Sequence, residues 1–180
     1  MNSFRVITFM VMVLSLSNMA LSQKTPESAV RLYCALDGEG AGYSNHQEHS
    51  KEFDSVQMDS VEAAWDESTV IKDYEIVGVI KKEGSAKITV LYHVLGKISS
   101  DLALVHATSN EKVTFDVVRT GEEWKVDHSE IGPHITKTAM LKILNSERAD
   151  AAQKAQTSND AQVKEVLVNL ERAIHKIETW

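Results

Sequence analysis

Residues 74–128 carry a strand-forming pattern that only short turns interrupt. Residues 74–80 are rich in β-branched side chains, and residues 82–85 (KEGS) are typical of a turn. Residues 86–98 (AKITVLYHVLGKI) are apolar on both faces, as expected for a central strand buried between two layers. Residues 101–108 (DLALVHAT) fit either a strand or a long connection, and both interpretations stay open.

The same region ends in a hairpin. Residues 111–119 (EKVTFDVVR) alternate, residues 120–122 (TGE) predict a turn, and the alternation resumes on the returning strand. Asp116 and Asp127 then fall on the solvent side of their strands. The predicted inward positions are Val113, Phe115, Val117, Trp124, Val126 and His128.

Helical patterns precede the strands. Thr25 is a predicted N-cap followed by Pro26, and an apolar stripe with helical spacing continues from Ala29 to Leu36. The glycine-rich residues 37–42 end this helix. Helical spacing returns over residues 53–65, where Asp59 and Ser60 can cap a short second helix. Since helices precede a meander of strands, the fold class is α+β, with helices packed on one face of an antiparallel sheet.

Helical patterns also follow the strands. Residues 135–156 are helix-prone, and Asn159 and Gln162 can cap a further helix over 160–178. Its apolar stripe consists of Val163, Val166, Leu167, Leu170, Ile174 and Ile177. Two interpretations stay open, because this helical hairpin can fold back on its own domain or contact a homo-oligomeric or protein partner.

The first 22 residues have the composition of a cleavable signal peptide. Arg5 supplies a positive charge, residues 6–16 are apolar, and the small residues Ala20 and Ser22 precede a cleavage point before Gln23. The apolar run is shorter than the roughly 20 residues of a membrane-spanning helix. We therefore predict an exported protein, most simply periplasmic and otherwise secreted, with no membrane anchor after cleavage.

Charge and cysteine content limit the partners of the exported part. The net charge of −7 gives the chain no electrostatic attraction for nucleic acid, which we exclude as a partner. Cys34 is the single cysteine, so no intrachain disulfide can form and a hydrophobic core must stabilise the fold. We interpret Cys34 as a buried helix residue rather than a reactive thiol.

Three segments together resemble the nuclear transport factor two-like superfamily, also called the cystatin-like cone. They are TPESAVRLYCALDGEG, AAWDESTVIKDYEIVGV and EKVTFDVVRTGEEWKVD, and the resemblance covers residues 25–132. It implies a strongly curved sheet wrapped by helices around a pocket open at one end. The predicted organisation is a signal peptide (1–22), this α+β domain (23–133) and a C-terminal helical extension (134–180).

The resemblance also suggests where catalysis would reside. In ketosteroid isomerase, a member of the superfamily, a tyrosine on the first helix and an aspartate after the helices face the pocket. Asp73 lies where the general-base aspartate would be, but Tyr33 is one residue out of phase, about 100° of helix. The remaining acid would have to be Asp116 or Asp127 on the solvent side. Asp73 is therefore the one weak catalytic candidate.

The histidines carry no metal signature. His46 and His49 lie in a polar stretch without further ligands, and His93 lies within a predicted buried strand. We predict no metal and no cofactor. The pocket candidates are Tyr33, Trp65, Phe115, Trp124 and His128.

These observations predict a non-catalytic exported domain that binds a small apolar or amphipathic ligand or acts as an accessory domain. One alternative is a pocket enzyme (an isomerase, dehydratase or hydrolase) that uses Asp73 as general base. The other is an oligomerisation or partner-binding protein acting through the helix over residues 160–178.

Overall fold

The computed structural model describes residues 23–43, 50–58, 65–127, 131–157 and 160–180. Within these ranges, one strongly curved sheet and four helices form an α+β fold, which confirms the predicted class. The predicted signal peptide, His46, His49 and His128 lie outside the described residues. The elements are α1 (Pro26–Gly38), α2 (Ser50–Val56), β1 (Glu67–Lys82), β2 (Ser85–Ser99), β3 (Leu104–Thr120), β4 (Glu123–Asp127), β5 (His134–Thr136), α3 (Lys137–Thr157) and α4 (Ala161–Glu178).

Local sequence explains where α1 begins. The Thr25 hydroxyl accepts a hydrogen bond from the Ser28 N–H at 3.1 Å, and the Ser28 hydroxyl accepts one from the Thr25 N–H at 3.0 Å. This reciprocal capping satisfies two backbone donors that the first turn would otherwise leave free. The predicted N-cap is therefore confirmed, and Pro26 occupies the first helical turn.

The strands of the sheet lie in the order β4-β3-β2-β1-β5. Both predicted hairpin turns are confirmed, with Gly84 (φ +71°) between β1 and β2 and Gly121 (φ +65°) between β3 and β4. Of residues 101–108, whose assignment was open, residues 104–108 belong to β3, which runs from Leu104 to Thr120, and residues 101–103 form a connection. Asp101 accepts a hydrogen bond from the Ala103 N–H and so stabilises the short connection before it.

β5 corrects the expectation of an antiparallel sheet. It pairs in parallel with β1, through Thr69 opposite His134 and Ile71 opposite Thr136, so the sheet is mixed. Residues 135 and 136 were predicted to begin a helix, but that helix begins at Lys137. A strand of three residues is too short for alternation to be visible in the sequence.

The buried side chains form two clusters. In the first, α1 and α2 pack on the sheet, and Val30, Phe53 and Ile88 are among its members. In the second, α3 and α4 pack on Val70, Ile98 and Ile135. β2 joins the two, because its alternating buried residues contribute to the first cluster up to Val94 and to the second at Ile98.

The C-terminal helical hairpin folds back on its own sheet. Leu170, Ala173, Ile174 and Ile177 are buried in the second cluster. The first half of the predicted stripe is more open, since Val166 is 47% exposed. Asp160 caps α4 by accepting a hydrogen bond from the Gln162 N–H at 2.9 Å, and Asn159 of the predicted capping pair lies outside the described residues. None of the helices in the described ranges has the length and apolar character needed to cross a membrane.

We expect Gly96→Ala to destabilise the fold by about 1–3 kcal/mol, the usual range for overpacking. A Cβ at Gly96 would lie 2.6 Å from the Val105 carbonyl oxygen and 2.7 Å from the Trp180 ring. Urea unfolding measures the loss. Gly78→Ala is the control, because the nearest atom to its Cβ would be the Thr89 side chain at 3.3 Å, a longer distance than either contact at Gly96. Equal stability of the two variants would contradict the close packing at Gly96.

Candidate functional site

The predicted pocket residues do not surround one cavity. Tyr33 and Phe115 are 2% and 0% exposed, and their ring centroids lie 5.2 Å apart in the first cluster. The Phe53 ring packs on the same side chains, with its centroid 5.0 Å from that of Tyr33. Trp124 is half-buried against this cluster, whereas Trp65 is 38% exposed and belongs to a different surface. Tyr33 and Phe115 therefore act as core residues.

Asp73 does not enter apolar surroundings. It lies on β1 opposite His93 of β2, and its carboxylate contacts the His93 Nδ1. The side chains of Asp73 and His93 are 54% and 39% exposed, so His93 is not the buried strand residue that was predicted. Both side chains are open to solvent, so the pair lacks the enclosed apolar pocket expected of a pocket enzyme. Asp116 and Asp127 are exposed, as predicted.

A buried polar cluster lies between α1 and β5. The Asp37 side chain is 1% exposed and accepts a hydrogen bond from the His134 backbone N–H at 2.9 Å. Burial raises the pKa of the Asp37 carboxyl to about 7, against the smaller lowering effect of that hydrogen bond. This carboxyl joins the end of the first helix to the edge strand of the sheet.

The His134 ring is buried beside the carboxylate of Glu111. It is 3% exposed and stacks on Tyr92 with ring centroids 4.0 Å apart. Among the described residues, neither ring nitrogen has a hydrogen bond, and the nearest carboxylate oxygen, that of Glu111, is 3.8 Å from Nε2. Burial lowers the pKa of His134, while Glu111 opposes this. Burial therefore disfavours the protonated form of the ring.

Cys34 confirms the interpretation of a buried helix residue. It is 1% exposed, and its sulfur lies 3.2 Å from the Tyr92 hydroxyl oxygen. Burial raises the pKa of the thiol to about 12. Because nucleophilic attack requires the thiolate, this cysteine is chemically inert at neutral pH.

A cleft of about 1010 Å³ separates the sheet from the helical hairpin. One wall consists of the start of β1 and the connection from β2 to β3, and the other consists of parts of α3 and α4. Its apolar lining includes Tyr43, Trp65, Ile98, Leu102, Val163 and Leu170. Concave, mostly apolar sites of this size are typical of small-molecule binding.

Leu102 lies in this cleft with a backbone angle that is rare for leucine. Its φ is +65°, the left-handed region that favours glycine. The side chain is half-buried against the second cluster. The left-handed conformation is unfavourable by about 1–2 kcal/mol for a residue with a Cβ. Strain of this kind concentrates where a side chain must be presented to a ligand.

The cleft also has a charged rim. Among the described residues, its acidic lining residues are Asp66, Glu67, Asp101, Glu147, Asp150 and Asp160, and its basic lining residue is Lys154. Within the described ranges, no three His, Cys, Asp or Glu residues lie close enough together to hold a metal ion. Trp65 is the one described pocket candidate that lines the cleft.

Comparison of the chain with protein-family models, curated proteins and solved structures found no match. The resemblance to the nuclear transport factor two-like superfamily therefore stays a prediction.

Proposed function

We propose that this chain is a non-catalytic binding domain that takes a small amphipathic ligand in the cleft between its sheet and its C-terminal helices. The observation that carries the proposal is the cleft itself, with an apolar lining and a volume of about 1010 Å³. This volume is at the upper end of the usual range for small-molecule sites, about 300–1,000 Å³.

Leu102 supports the proposal independently. A glycine at this position would relax the backbone, yet the chain has a leucine there, whose side chain lines the cleft. The usual inference from such strain is a local role in binding. Trp65 adds an aromatic surface, and its 38% exposure leaves part of the ring accessible to a ligand.

The proposal also includes two sequence predictions, a cone-shaped domain of the nuclear transport factor two-like type and export of the protein. A strongly curved sheet with α1 packed on it is consistent with a member of the nuclear transport factor two-like superfamily. In this chain Tyr33, Phe53 and Phe115 fill the space beneath α1, so we place the ligand in the cleft instead. The exposed pair of Asp73 and His93 offers no support for the enzyme alternative.

The test is a fluorescence titration with N-phenyl-1-naphthylamine, a neutral apolar probe. We expect saturable binding to the purified protein and binding at least about fivefold weaker for Leu102→Gly, which removes a large apolar side chain. Relief of the backbone strain offsets part of the lost packing, so its stability should stay within about 1 kcal/mol of the original.

The matched control is Ile80→Ala, which removes an apolar side chain that is 62% exposed on β1 and outside the cleft lining. It should bind the probe with unchanged affinity. The proposal fails if the unaltered protein shows no saturable binding, or if Leu102→Gly and Ile80→Ala bind equally well.

A further inference from the structure

We infer that the ligand of the cleft is an organic cation, with an apolar or aromatic body and an ammonium or guanidinium group. This inference rests on the proposed function and names the chemical class that the cleft selects. It follows from the charges around the rim, the orientation of α4 and the aromatic residues in the lining.

Carboxylates line both walls of the cleft. Asp66, Glu67 and Asp101 come from the sheet side, and Glu147, Asp150 and Asp160 come from the helices. In the described part of the lining the basic residue is Lys154, and Lys97 from outside the lining pairs with Glu67 at 2.8 Å. Glu67 is thus paired, and Asp160 caps α4. Asp66, Asp101 and Asp150 still present negative charge to a cation from both walls, while an anion would be repelled.

The beginning of α4 does not reverse this preference. The positive end of a helix dipole attracts anions, and α4 begins at the cleft. Its N-cap Asp160 already lies there, and the Asp160 carboxylate accepts the Gln162 N–H at 2.9 Å. The negative side chain therefore compensates the helix end, and the net field in the cleft remains favourable to a cation.

Aromatic rings provide the second part of the recognition. Trp65 and Tyr43 both line the cleft, Trp65 partly exposed and Tyr43 half-buried. Burial raises the pKa of the Tyr43 phenol, and Glu147 adds to this, so the ring stays neutral at physiological pH. Organic cations bind favourably over the faces of such rings, and tryptophan is the most effective.

Three naphthalene derivatives of similar shape separate the charge preference from apolar binding. They are 1-naphthylmethylammonium, 1-naphthylmethanol and 1-naphthoate, each titrated against the purified protein. We expect the ammonium compound to bind about tenfold more tightly than the alcohol, and the carboxylate to bind weakest. The advantage of the ammonium compound should decrease in high salt, because exposed charges are screened.

A double variant tests the rim directly. Asp66→Asn with Asp150→Asn keeps the size of both side chains and removes two charges, and it should weaken binding of the ammonium compound about fivefold. The matched control is Asp54→Asn with Asp127→Asn, which changes the net charge equally at two exposed positions outside the cleft lining. It should leave the affinity unchanged.

The outcomes distinguish this inference from the proposed function. Equal affinity for ammonium and alcohol, or preference for the carboxylate, overturns the inference and leaves a binding domain in place. Absence of saturable binding by all three compounds and by the neutral probe overturns both. Binding of an oligolysine peptide without binding of the ammonium compound also overturns the inference, since the partner would then be a macromolecule.

Discussion

Asp37→Asn should stabilise the protein at pH 8 and leave its stability nearly unchanged at pH 4. Asp37 is 1% exposed, and burial raises its pKa from 3.8 to about 7. Between these values the unfolded chain loses the proton and the folded chain keeps it, so stability falls as the pH rises. The difference between these two pKa values corresponds to about 4 kcal/mol of stability lost at pH 8.

Asparagine removes this pH dependence and keeps the contact. Its amide oxygen can still accept the His134 backbone N–H, which lies 2.9 Å from the Asp37 carboxylate. Asp37→Ala removes the acceptor as well and leaves that N–H buried without a partner, a loss of about 1–3 kcal/mol. The alanine variant should therefore be less stable than the asparagine variant at both pH values.

His134 contributes with the opposite sign. Burial lowers its pKa, so as the pH falls below about 6.5 the unfolded chain binds this proton more readily than the folded chain does. Its contribution to stability is therefore lost as the pH falls. Between about pH 4 and pH 6.5 the Asp37 and His134 contributions oppose each other, and above that range Asp37 alone continues to lower stability.

Two variants separate the two groups in urea unfolding at pH 4, 6 and 8. Asp37→Asn should remove the loss of stability as the pH rises, and His134→Phe should reduce the loss of stability on acidification. Phenylalanine keeps the stacking on Tyr92 and breaks no hydrogen bond of the ring among the described residues. Asp116→Asn, on the exposed face, is the control. If Asp37→Asn is less stable than the original protein at pH 8, the folded state needs the carboxylate. That result would contradict a raised pKa for Asp37.

Local patterns in the sequence were sufficient for most of the fold. Thr25 and Pro26 located the start of α1, and the turns at Gly84 and Gly121 located both hairpins. These signals depend on neighbouring residues alone. β5 depends instead on pairing with β1, more than sixty residues earlier in the chain, and nothing within His134–Thr136 indicates it.

The site was harder to predict for a related reason. Alternation placed Phe115 on the inward face, which is confirmed, but it cannot tell a filled interior from a cavity. In β1 the register shifts on both sides of Ile71, so counting along the strand does not give the face of Asp73. The cleft is assembled from β1, the connection after β2, and two helices. Trp65 is the one described pocket candidate among its lining residues, while Val163, Val166 and Leu170 were predicted only as part of a helix stripe.

Ile177→Ala should destabilise the protein by about 2–5 kcal/mol, the usual range for removing a fully buried aliphatic side chain. Ile177 is 0% exposed and packs in the cluster that includes Val70 and Ile98 of the sheet. Val168→Ala in the same helix is the control, because Val168 is 51% exposed and its loss should change stability by less than about 0.5 kcal/mol.

The same packing predicts that residues 23–133 will not fold when separated from residues 134–180. Removal of residues 134–180 takes away β5 from the edge of β1 and uncovers Val70 and Ile98, which are 0% and 2% exposed in the intact protein. Circular dichroism and urea unfolding of the truncated chain measure this. A cooperative transition like that of the intact protein, together with an unchanged stability of Ile177→Ala, would mean that the helices are a separable extension. The cleft would then lose one of its walls without loss of the sheet, and ligand binding should disappear while the fold remains.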